Sequence, residues 1–269
     1  MSLPGLVFGR IDQWIQEHPR EGELVAWALK QASVPDYPDQ GYMERILHRL
    51  LPANWMDISI GLQAQARKAV ATGEICLAWV PRGELIGDLA LAARKAERDE
   101  ALLRHEDALL EDVTAVLEAV IHERLVKLRH EAQEATVTFL DGHPRPAQSF
   151  CASLIGEIVE DVFGYENFAS ASEAFDLEPP DEIDFRDYRR GLIQWMIKEA
   201  LRGRDTGPRP GFNRHLTAHS VNPQQYTRAN AIGALMLVAG TLRELQEIYT
   251  LVDRRLQPWP SSFATPPVS

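Results

Sequence analysis

An arginine and two histidines set close together are the residues of this chain best suited to chemistry. They are Arg214, His215 and His219, within GFNRHLTAHSVNPQQY (211–226). A histidine exchanges a proton near neutral pH, its unperturbed pKa being about 6.5. An arginine keeps its charge and offers a fixed fork of donors that matches phosphate oxygens as negative charge develops on them. Together these types can move protons and hold a phosphate without a metal. Their spacing sets a condition on the backbone. On a helix, positions 214 and 219 stand about 140° apart around the axis and diverge, whereas in a loop or helix junction they can converge.

Other chemistries fit less well. His215 and His219 form an i, i+4 pair, a zinc spacing on a helix, but no glutamate lies between them to complete the metalloprotease pattern. The Glu-x-x-His element of carboxylate di-iron bundles does not occur. Neither a Walker A sequence nor G-x-G-x-x-G nor G-x-S-x-G is present. Arg124 and His130 imitate the arginine–histidine spacing, but they sit mid-helix among solvated charges. His105, His122 and His130 each precede a glutamate, at intervals that suit no metal.

The 269 residues carry a formal net charge of −11, with 45% hydrophobic and 25% charged side chains. That is ordinary globular composition, and the acidity excludes a protein that coats nucleic acid without specificity. The charge is uneven. Residues 83–172 hold 18 acidic side chains against 8 basic ones. Residues 198–230 reverse the sign, with Lys198, Arg202, Arg204, Arg209, Arg214 and Arg228 against Glu199 and Asp205. The arginine and histidines therefore lie in the basic stretch of an acidic chain.

The elements that must position them read as helices. From Leu109, the residues Leu110, Val113, Leu117, Val120 and Leu128 recur at helical spacing, which predicts one long amphipathic helix over about 86–139. DGHPRP (141–146) stops it with a glycine and two prolines. A second helix over about 146–164 carries Phe150, Leu154, Ile158 and Val162, and an acidic linker with a Pro-Pro pair follows. A third, about 184–202, aligns Phe185, Tyr188, Leu192 and Trp195. The last has a seam of Leu235, Val238, Leu242, Leu245, Tyr249, Val252 and Leu256, in steps of three and four. ICLAWV (75–80) reads equally as a strand or a buried helical turn.

Placed before the last of four helices, Asn213–Arg214–His215 followed by His219 resembles the motif of the HEPN superfamily of helical bundles. The likeness spans residues 85–256 by helix order and about a dozen residues by motif. It implies an all-α chain with a C-terminal antiparallel four-helix bundle, and a loop or junction at the motif that lets Arg214 and His219 converge. It also implies a homodimer, two motifs meeting in a composite site where the 2'-hydroxyl of RNA attacks its own phosphodiester to leave a 2',3'-cyclic phosphate. In that scheme His219 is the general acid or base, Arg214 stabilises the scissile phosphate and His215 tunes the pair. Asn213, Arg209, Tyr226 and Arg228 hold RNA.

No cofactor is expected. Toxin or anti-phage defence roles go with the resemblance, and so does an antitoxin or defence-complex partner. The alternative is a non-catalytic HEPN-like module that binds a nucleotide or a protein.

The expected organisation is a small helical N-terminal domain (1–83), the HEPN-like bundle (84–257) and a flexible tail (258–269). Cys76 and Cys151, 75 residues apart, suit no metal site and read as core residues of a reducing compartment. No apolar run reaches membrane-span length, and the first residues lack a basic segment followed by an apolar one. A cytoplasmic protein without membrane association is expected.

Overall fold

The structure, a computed structural model, describes residues 51–162, 188–202, 211–219 and 223–256, without the side chains at 188, 190, 219, 251, 252 and 254–256. Among them are nine α-helices and no strand, so the chain is all-α there as expected. The helices are α1 (Ile60–Ala71), α2 (Gly83–Leu91), α3 (Lys95–Arg104), α4 (Glu106–Glu118), α5 (Val126–Leu140), α6 (Pro144–Glu157), α7 (Tyr188–Leu201), α8 (Arg214–His219) and α9 (Arg228–Leu256). A π-helical turn, Ile158–Val162, extends α6.

The single helix expected over 86–139 is four helices instead, and the breaks have polar causes. After α2, Ala92 turns to extended backbone, and its carbonyl accepts from Arg98 Nη1 at 2.8 Å. Glu97 Oε2 accepts the Arg94 N–H at 3.1 Å and so caps the start of α3. Between α4 and α5, Gln246 Oε1 accepts both the Ile121 and the His122 N–H, at 2.9 and 2.7 Å. Arg129 Nη1 holds the Val120 carbonyl at 3.0 Å. Side chains from elsewhere take the groups a continuous helix would have bonded to itself.

The stop at DGHPRP is present. Gly142 adopts φ +86°, its N–H donates to the Phe139 carbonyl at 3.0 Å, and the His143 N–H reaches the Thr138 carbonyl at 3.1 Å. That pair of bonds is a Schellman ending, which a glycine accommodates without Cβ strain. Pro144 then opens α6.

With 29 residues, and so about 43 Å long, α9 packs against α3, α4, α5, α6 and α7. Leu235, Val238, Leu242 and Leu245 of its expected seam are buried and Tyr249 is half-buried. The side chains of Val252 and Leu256 lie outside the described residues. On α6, Leu154 and Ile158 are buried as expected, but Phe150 is at the surface. Ala147, Cys151 and Ile155 face the core there, since α6 is gripped on that side by α5 and α9. Each large apolar side chain buried this way stabilises the fold by about 1.5–3 kcal/mol.

Residues 75–80 form neither a strand nor a helix. All six are buried in irregular backbone whose polar groups are met by side chains. The Leu77 carbonyl accepts from Asn54 Nδ2 (2.9 Å) and Trp55 Nε1 (2.8 Å), and Asn54 Oδ1 accepts the Trp79 N–H at 2.9 Å. Opposite this segment α9 carries Gly240, where a Cβ would stand 2.8 Å from the Ala78 carbonyl oxygen. Burial pushes the thiols of Cys76 and Cys151 up to about 12.

Buried residues on both sides of position 83 belong to one hydrophobic cluster. Residues 1–50, most of the expected N-terminal domain, lie outside the described residues, as do the acidic linker at 173–187, Phe185 and the tail. No described helix is long and apolar enough to cross a membrane.

Candidate functional site

The motif is helical. Arg214–His219 forms α8, whereas the HEPN resemblance implied a loop or junction. Asn213 is the reason. Its Oδ1 accepts the Leu216 N–H at 2.8 Å, an N-cap, while its Nδ2 donates to the Arg202 carbonyl at 3.1 Å. One buried amide thus starts α8 and ties it to the end of α7. Helical geometry then sets positions 214 and 219 about 140° apart, while positions 215 and 219 share a side. Among the described residues no group of three or more His, Cys, Asp or Glu is placed to hold a metal.

Arg214 is half-buried against α6, with Nε donating to the Ala152 carbonyl at 3.4 Å. Burial lowers its pKa, and the negative charge of Glu160 on the π turn opposes that shift. His215 is half-buried. His219 closes the helix, and its side chain lies outside the described residues, as does the whole of Arg209.

Two further candidates have internal roles. The Tyr226 hydroxyl donates to the Thr217 carbonyl at 2.5 Å and stands 3.2 Å from Ser149 Oγ. Arg228 meets the Glu106 carboxylate through Nε and Nη2, and its guanidinium lies 4.6 Å from the Phe139 ring centroid. Glu106 raises the Arg228 pKa further.

Around them the connection into α9 is closely held. Gln148 Nε2 reaches Thr217 Oγ1 (3.0 Å) and the Gln225 carbonyl (3.1 Å), and Gln225 Nε2 reaches the Gly211 carbonyl at 3.2 Å. Thr227 Oγ1 accepts the Asn230 N–H at 3.0 Å and caps α9. Gly211, at φ +92°, lies so near residue 74 that a Cβ would meet the Glu74 carbonyl oxygen at 2.8 Å. The structure thus gathers Asn213, Arg214, His215 and Tyr226 around α8 and sets Arg228 at the start of α9 beside Glu106.

Sequence reasoning missed a second polar centre. Glu244, on the buried face of α9, pairs with Arg189 of α7 (Nε to Oε2, 2.8 Å) and accepts the Trp79 indole N–H at 3.1 Å. Burial pushes its carboxyl above the usual range, while Arg189 and the indole pull it back. The guanidinium carbons of Arg189 and Arg243 lie 5.2 and 4.8 Å from the Trp79 ring centroid. Trp79 itself holds φ +70°, a left-handed conformation that a bulky residue seldom adopts.

Beside this centre, between α7, α9 and the π turn, is a cavity of about 270 Å³. Glu244 stands beside Leu245 of the α9 seam but is not one of its positions, so apolar periodicity offered no signal for it. No family model, curated protein or solved structure matches the chain.

Proposed function

We propose that this chain is a metal-independent endoribonuclease of HEPN type, working as a homodimer and leaving 2',3'-cyclic phosphate ends. The observation that carries the proposal is the placement of Arg214, His215 and His219 on one short helix, capped by Asn213 and fastened to α6 and α7, directly before the long α9. Groups that handle a proton and a phosphate must be held rigidly to be effective. Because positions 214 and 219 diverge on one helix, the site is completed across two copies, the motif of one protomer facing that of the other. A toxin or anti-phage setting, with an antitoxin or defence-complex partner, belongs to the same proposal, as does an antiparallel HEPN bundle built from α5, α6, α7 and α9.

A second reading is a non-catalytic module that binds a nucleotide or protein. It is favoured by the internal use of Asn213, Tyr226 and Arg228, which leaves fewer candidates to hold RNA. RNA cleavage in EDTA separates the two. The nuclease proposal expects cyclic-phosphate ends from the wild-type chain and none from His219→Ala, both variants matching in circular dichroism. Equal background from the two proteins would overturn it in favour of the binding module.

A further inference from the structure

With six residues, α8 is too short to hold its shape and place by its own hydrogen bonds. Its two ends are fastened separately. At the start, Asn213 caps the helix and Arg214 Nε donates to the Ala152 carbonyl at 3.4 Å. Toward the far end the contacts converge on Thr217. The Tyr226 hydroxyl donates to its carbonyl at 2.5 Å, and Gln148 Nε2 donates to its hydroxyl at 3.0 Å. His219 stands two positions beyond. The same Gln148 nitrogen also donates to the Gln225 carbonyl at 3.1 Å, so one amide of α6 grips both α8 and the start of the connection into α9.

Gln148 is wholly buried, and its amide is used from one side. Its Oε1 has no hydrogen-bond partner among the described residues. Turning the amide over would set that oxygen 3.1 Å from the Gln225 carbonyl oxygen, acceptor against acceptor. Among the described residues the Thr217 hydroxyl meets Gln148 alone, whereas the Gln225 carbonyl also accepts from Asn230 Nδ2 at 2.7 Å. Removing the Gln148 amide and the Thr217 hydroxyl together therefore leaves none of these buried groups stranded. Exchanging both members of a buried hydrogen bond for apolar groups of similar shape is nearly neutral for stability. What an apolar pair lacks is direction: such cores lose uniqueness and rigidity before they lose stability, whereas a hydrogen bond fixes an angle and a distance.

We propose that Gln148 is a positioning residue of the α8 site. Acting through Thr217, its amide fixes the end of α8 that carries His219, and it serves turnover rather than folding. The effect on turnover rests on the nuclease reading; the effect on α8 rests on the geometry alone.

The test compares the full chain with Gln148→Met/Thr217→Val and with Thr217→Ser. The double variant is expected to keep the wild-type urea midpoint or exceed it. Its kcat for RNA cleavage falls about tenfold to a hundredfold with KM within about twofold, as a misplaced group that does not bind substrate requires. Thr217→Ser keeps the hydroxyl and loses a buried methyl, so its midpoint falls while kcat stays within about twofold of wild type. Stability and turnover thus move in opposite senses, which a merely structural role would not produce. Native-state hydrogen exchange reads α8 without any activity. The Leu216 and Thr217 amides exchange at least about tenfold faster in the double variant, while Leu235 and Val238 of α9 are unchanged. If the wild-type chain cleaves no RNA, the nuclease reading fails and hydrogen exchange decides the role of Gln148. Unchanged exchange in α8, acceleration shared equally by α9, or a double variant that does not fold would each overturn the proposal. So would unchanged kcat in a double variant of a chain that cleaves.

Discussion

Asn213 stands next to the motif arginine, and its geometry makes it a structural residue with a measurable weight. Asn213→Ala removes the N-cap bond to the Leu216 N–H, a loss of about 1 kcal/mol. It also removes the bond to the Arg202 carbonyl, worth about 1 kcal/mol more. Asn213→Ser keeps a capping oxygen but cannot reach residue 202, so it retains roughly half of the total. Urea unfolding reads both variants. With a denaturant slope on the order of 3 kcal/mol/M, the alanine midpoint falls by about 0.7 M and the serine midpoint by about half that. RNA cleavage, measured well below the transition, stays within a few-fold of wild type for both. Midpoints unchanged in both variants, with cleavage lost, would refute this account and return Asn213 to the substrate.

Gly240→Ala and Gly233→Ala should move stability in opposite directions although both lie on α9. The first forces a Cβ to 2.8 Å from the Ala78 oxygen and costs about 1–3 kcal/mol, while the second meets nothing within 4 Å and gains up to about 1 kcal/mol of helix propensity. Thermal unfolding of the pair checks this. Cys76 and Cys151 should resist a thiol reagent in the native chain and react only when urea unfolds it, which a colorimetric thiol assay follows.

Glu244 should give stability an inverse dependence on pH. Its folded pKa is raised, so above the ordinary carboxylate range the folded state holds a proton that the unfolded state has lost, and the stabilisation declines as pH rises through the folded value. Arg189 and Glu247 face it and are unchanged in Glu244→Gln, so the pH slope should flatten in that variant, as urea midpoints across pH 4–8 would report.

Periodicity made the helical class and the α9 seam legible, because one long apolar stripe needs no other information. The end of α5 was legible too, through a glycine at the one position where left-handed backbone is required. The breaks at 92–94 and 119–125 were not. The second contains no glycine or proline and is imposed by Gln246, more than a hundred residues downstream. The motif histidines were visible as residue types, but the helix that separates positions 214 and 219 depends on an amide bridging to Arg202. Glu244 was hidden for a similar reason: its partners come from Trp79 and Arg189, far away in the chain.

The same bond from Gln246 has a consequence for the order of folding. Synthesis makes residues 106–140 long before residue 246, so until then the Ile121 and His122 amides lack their acceptor, and only local contacts such as that of Arg129 with the Val120 carbonyl favour a corner. The corner between α4 and α5 is therefore expected to be completed late, when α9 docks and Gln246 meets the Ile121 and His122 amides. Protection of those two amides is therefore expected to appear only once α9 has docked, and pulsed hydrogen exchange at Ile121 and His122 would time the change.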